Sequence, residues 1–139
     1  VGLREIKFRG KSTYDGKWVY GLLRRRDGLD HDIIEESNGM GHDVDPKTVG
    51  QYTGLQDKNV IEIYAGDIVK ASLEKKGKFA ITKVWYMSPV WKLADYTKGR
   101  LNGSFDMSDW GYGIEVDGLE VIGNVYENPN LIIKKSKCQ

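Results

Sequence analysis

The sequence predicts a mainly β protein of short antiparallel strands with little helix, and three observations carry that prediction. Stretches of apolar–polar alternation, the period of a half-buried strand, recur roughly every eight to twelve residues. No stretch longer than about ten residues keeps a 3.6-residue period between recognisable caps. Seventeen glycines stand against three prolines, which marks many tight turns, because glycine reaches positive φ without steric cost. Short strands at this spacing favour small barrels over a parallel sheet. The expected organisation is an N-terminal β subdomain over residues 1–60 and an SH3-like barrel over residues 61–139. A long loop at 95–111 belongs to the barrel, and the two parts form one compact unit.

Each element follows from local pattern. In Arg4–Arg9, Ile6 and Phe8 point one way and Glu5, Lys7 and Arg9 the other. Asp15-Gly16 is a hairpin signal, after which Lys17–Arg24 returns with apolar residues on both faces, as in a central strand covered on both sides. Ile33-Ile34 is a short strand, Ser37–Gly41 a loop, and Pro46–Val49 one helical turn or a bend. Val49–Thr53 and Val60–Tyr64 read as strands joined by Gly54–Asn59. Gly66-Asp67 is a structural turn: glycine permits the bend, and the carboxylate can accept backbone N–H groups across it. Ile68 onwards is then a strand, Lys75–Lys78 a glycine-containing hairpin turn, and Phe79–Tyr86 the returning strand. Val90–Leu93 continues as a short strand, and 95–111 reads as a long loop or ragged hairpin. Tyr112–Val116 and Leu119–Val125 are strands about a tight turn at Asp117-Gly118, and the basic segment Lys134–Lys137 is expected to fray.

Composition narrows the function. Twenty acidic residues nearly cancel twenty-one basic ones, for a net charge of +1, whereas a protein that lives by phosphate contacts usually carries a basic excess. Cys138 is the single cysteine, so no internal disulfide forms and a reducing compartment fits. No apolar run approaches the roughly 20 residues that span a bilayer.

Catalytic sets are missing from the pattern, and no cofactor is implied. His31 and His42 lie in polar contexts outside any HExxH arrangement, and His42 with Asp43 and Asp45 has only generic metal-ligand spacing. Neither a GxxxxGK[ST] phosphate loop nor a GxGxxG turn into a helix occurs. Arg24-Arg25-Arg26 is offset by Asp27, Asp30 and Asp32 and reads as a solvated strand end. Of the four tryptophans, Trp18 and Trp85 sit in strands among apolar neighbours and read as core or interface fillers. Trp91 and Trp110, flanked by polar residues, join Lys75, Lys76 and Lys78 as a candidate partner surface.

Five blocks together carry a resemblance: REIKFRGKS, WVYG, VDPKTVGQYTGLQDKN, EIYAGDIVK and EVIGNVYENPNL. In this order they resemble the YopX family of bacteriophage and prophage proteins, over roughly half the chain. The resemblance implies a mainly β protein with an SH3-like barrel in its C-terminal part, a phage or prophage origin and self-association. It implies no catalytic residue. One departure is that the family's Asp-Lys-Asn-Gly turn is Asp57-Lys58-Asn59-Val60 here. A β-branched residue resists positive φ, so a longer or differently bent hairpin is expected at this point. The leading expectation is a non-enzymatic, phage-encoded accessory module in the cytoplasm of the bacterial host, self-associating and binding another macromolecule. The alternatives are a single-stranded nucleic-acid-binding protein and a hydrolase with an unrecognised, carboxylate-based site.

Overall fold

The computed structural model describes residues 5–25, 28, 31–73, 79–87, 90–95, 103–106 and 114–133. It is mainly β and antiparallel, and among the described residues helix is confined to a 3-10 turn at Pro46–Thr48 and a four-residue α1 at Asn130–Ile133. Two compact units are present, 1–54 and 55–139.

In the first unit, β1 (Phe8–Lys11), β2 (Trp18–Arg24), β3 (Asp32–Glu35), β4 (Gly41–Val44) and β5 (Gly50–Gln56) stand in the order β4-β3-β2-β1-β5. The Asp15-Gly16 turn connects β1 to β2, with Gly16 at φ 70° and the Asp15 carboxylate accepting from Lys17 N at 3.0 Å. Beyond β1, Ser12 bridges back to Val44, and Asp45 N donates to Lys11 O at 2.9 Å. Val19, Ile34 and Val44 form the core, with Phe8, Leu23 and Val49 packed on it. Gly21 is required where β2 meets β3, because a Cβ there would lie 2.1 Å from Glu35 O.

The sequence expected β2 to be covered on both faces. It is central in the sheet, but only the face of Val19 is buried, and Tyr20 and Leu22 on the other face stay exposed. The loop expected at Ser37–Gly41 is shorter, since Gly41 already opens β4.

β5 runs through the boundary, and its last residues, Leu55 and Gln56, turn into β6 (Glu62–Tyr64) in the second unit. There β7 (Asp67–Leu73), β8 (Phe79–Met87), β9 (Val90–Asp95), β10 (Gly103–Asp106) and β11 (Ile114–Asn124) form an open sheet in the order β10-β9-β8-β7-β11. Among the described residues, then, an open antiparallel sheet stands where a barrel was expected. Ile63, Val69, Ala71, Val84 and Leu119 make its core.

One open reading is decided here and one expectation is corrected. Of the loop and the ragged hairpin read over 95–111, residues 103–106 follow the hairpin: they form β10 and pair antiparallel with β9 from Gly103↔Asp95 to Asp106↔Lys92. The tight turn expected at Asp117-Gly118 is instead an irregularity within one strand: β11 pairs with β7 at both Ile114↔Leu73 and Leu119↔Ala71. The register shift between these pairs absorbs the extra residues as a bulge does. A local Asp-Gly signal cannot distinguish a bulge from a reversal, because both need a residue free of Cβ crowding.

Candidate interaction surface and polar turns

Alternation along β2 decides what the first unit shows to solvent. Val19, Gly21 and Leu23 turn inward, so Trp18, Tyr20, Leu22 and Arg24 share the other face. Tyr20 is 46% and Leu22 59% exposed, and Ile6, just before β1, is 61% exposed. These three side chains line one concavity of about 510 Å3 with Glu35, Glu36 and Lys7 at its rim. Glu5 also lines it, 3.4 Å from Lys7 Nζ, and Glu35 accepts from Arg24 at 2.9 Å. Apolar side chains clustered inside a charged rim are the composition of an interaction site. The signal in the sequence was the two-faced apolar pattern of KWVYGLLR, but pattern alone does not tell which face is covered.

On the same sheet face, Arg9 lies 4.4 Å and Lys11 5.5 Å from the Trp18 ring, and Lys7 lies 5.0 Å from the Tyr52 ring. These cation–π contacts place positive charge against the aromatic faces. A second concavity, of about 430 Å3, is lined by Ser12, Tyr14, Asp15, Trp18 and His42 among others. In it the Lys17 backbone N–H holds the exposed Asp15 carboxyl below its usual range.

Among the described residues the histidines do not gather a metal set. His42 lies 3.3 Å from Glu36, whereas His31 lies 3.4 Å from Asp43. His42 and Asp43 are neighbours along β4 and point to opposite faces. The Asp45 carboxylate caps the 3-10 turn by accepting from Lys47 N.

In the second unit two buried carboxylates serve the backbone. Asp67, 1% exposed, accepts from Tyr64 N at 2.8 Å, beside Gly66 at φ 92°. A Cβ on Gly66 would lie 2.9 Å from the Tyr126 ring, so both the backbone angle and the space require glycine. Asp57, 6% exposed, accepts from Asn59 N (2.8 Å), Ile61 N (2.9 Å) and, across the unit, Val121 N (2.9 Å). Asp57 O accepts from Val60 N at 3.0 Å and Asp57 N donates to Ile61 O at 2.8 Å. The loop is thus three residues long, Lys58 to Val60, in place of a two-residue turn. Yet Val60 adopts φ 65° all the same, in the position that glycine normally takes in such loops. Left-handed geometry costs about 1–2 kcal/mol for a residue with a Cβ. The three bonds to Asp57 hold it.

Gly66 and Asp67 are therefore together at one turn. Trp91 lies on β9 opposite Tyr86. Lys75, Lys76, Lys78 and Trp110 lie outside the described residues. Among the described residues the buried carboxylates are Asp32, Asp57 and Asp67, and no helix is long and apolar enough to cross a membrane.

The profile of the YopX protein family matches residues 7–133. The chain belongs to the YopX family. This YopX-family chain is also similar in structure to protein EF1440 from Enterococcus faecalis, seen in a crystal structure. The two share 25% sequence identity and a TM-score of 0.53, over 92% of this chain and 98% of that one. No match is found among curated proteins.

Proposed function

We propose that this YopX-family protein is a non-enzymatic accessory module, encoded by a phage or prophage, that works in the cytoplasm of the bacterial host. It self-associates and binds another macromolecule. The observation that carries this reading is the exposure of Ile6, Tyr20 and Leu22 around one rimmed concavity. Large apolar side chains brought together in this way gain by being covered, at roughly 25 cal/mol per Å2 of apolar surface removed from water. We also read the C-terminal part as an SH3-like variant, a reading supported by the Gly66-Asp67 turn that opens β7 and by the antiparallel run β8-β7-β11.

Light scattering and native mass spectrometry on the whole chain test the first part. Dimers or larger species are expected, and Leu22→Asp is expected to shift them towards monomer. Monomer at every concentration would overturn self-association.

A second reading, single-stranded nucleic-acid binding, is favoured by Lys7, Arg9 and Lys11 alternating beside Trp18 and Tyr52. The burial of Arg9 and Tyr52 weighs against it. It predicts oligonucleotide binding that weakens with salt and with Trp110→Ala. Absence of binding at low salt would end it.

A further inference from the structure

We infer that the Ile6–Tyr20–Leu22 concavity takes the lysine-rich segment 134–137 of a second copy of this chain. The inference rests on the self-association reading and names the contact. The sign of the rim argues first: among the described residues lining the concavity, Glu5, Glu35 and Glu36 stand against Lys7, with Arg24 beside them paired to Glu35, which leaves the acidic groups in excess. Two such surfaces meeting face to face would bring like charge together, which disfavours an isologous pairing of this patch with itself. A cationic occupant is favoured instead.

The floor argues next. It is apolar, so the occupant has to present hydrocarbon as well as charge. A lysine side chain does both, with a four-carbon stem that lies along apolar surface and an ammonium that reaches outward to a carboxylate. The concavity is the complement of that shape: Tyr20 and Leu22 meet the stem, and Glu5 and Glu36 meet the ammonium. Lys134, Lys135 and Lys137 put three such side chains within four residues of sequence. A contact of this kind is heterologous, one surface against a different one, and it generates rings or open chains of subunits rather than a simple two-fold dimer.

The test is a charge exchange on the full-length chain, read by native mass spectrometry and sedimentation. The Lys134→Glu/Lys135→Glu/Lys137→Glu variant is expected to weaken self-association roughly tenfold, and raised salt is expected to weaken that of the wild type. The Glu5→Lys/Glu36→Lys variant is expected to weaken it as well. Mixing the two variants is expected to restore assembly, because each supplies the charge that the other lacks. Circular dichroism on each variant alone separates unfolding from lost contact. If the wild type associates but neither variant weakens it, or if Lys75→Glu/Lys76→Glu/Lys78→Glu alone does so, this contact is overturned and self-association stands. If the wild type is monomeric throughout, both readings fall.

Discussion

The two units solve the same problem, closing tight turns between short strands, with opposite means. In the first unit the turn-closing carboxylates and amides are at the surface: Asp15 accepts from Lys17 N, Asn38 from Met40 N and Asp45 from Lys47 N, all in exposed settings. In the second the corresponding groups are inside, with Asp57 and Asp67 buried and bonded to backbone amides. Water can stand in for a lost acceptor at the first kind of turn and is excluded from the second. The difference teaches that an Asp in a turn motif has no fixed energetic value, because burial sets it.

That contrast can be broken by substitution, and the largest effect belongs to the second unit's packing. Ile68 is fully buried, so Ile68→Ala is expected to cost about 2–5 kcal/mol in urea denaturation. Leu22→Ala in the first unit is expected to cost no more than about 0.5 kcal/mol. Equal losses would show that the two surfaces are not as different as their burial says. Asp57→Ala strands three amides, one of them on β11, and is expected to cost about 3 kcal/mol by the same measurement. A loss near zero would remove the distinction between buried and exposed turns.

Smaller effects sharpen it. Thr82 is fully buried with an unpartnered hydroxyl, so the near-isosteric Thr82→Val should raise stability by about 1 kcal/mol. Val60→Gly relieves left-handed strain and gives part of that back as chain entropy, for a gain of about 0.5–1 kcal/mol in thermal unfolding. The smallest effect is at Asp15. Its carboxyl is held low in the folded chain by the Lys17 amide, so its contribution is present above the unfolded-state pKa. It is lost as pH falls through the lower folded value. Stability followed from neutral to strongly acid pH should therefore fall slightly less for Asp15→Asn than for the wild type, and an identical profile would refute this.

Much of this architecture was legible in the chain. Alternation in Lys17–Arg24 located β2, since a period of two leaves its trace in sequence whatever packs against it, whereas the strand expected at Arg4–Arg9 meets β1 only at Phe8 and Arg9, because β1 runs on to Lys11. Ile33-Ile34 fell inside β3, and Pro46 opened the 3-10 turn that its fixed φ favours. Other features were hidden for physical reasons. β10 carries no sustained period of its own and is held by pairing to β9, a non-local bond. The exposure of Tyr20 and Leu22 depends on what lies over the sheet, which no local pattern encodes. The fit of Val60 into a glycine position depends on a carboxylate three residues earlier and an amide on β11. Among the candidate surface residues, local pattern picked out isolated tryptophans and lysines, whereas the clustering of Ile6 with Tyr20 and Leu22 needed the strand register.

The bonds of Asp57 also have an order in time. Its carboxylate is completed by Val121, 64 residues later in the chain, and Lys58 N by the carbonyl of Leu119. Gly66 O waits for Val125 N. A ribosome making this protein releases the strained Val60 turn long before the residues that satisfy it, and at roughly 5–20 residues per second that gap lasts several seconds. The sheet of the first unit, by contrast, needs no strand later than β6, which ends at Tyr64. Vectorial synthesis therefore favours an N-terminal half that folds first and a C-terminal half that closes only as its final strand emerges.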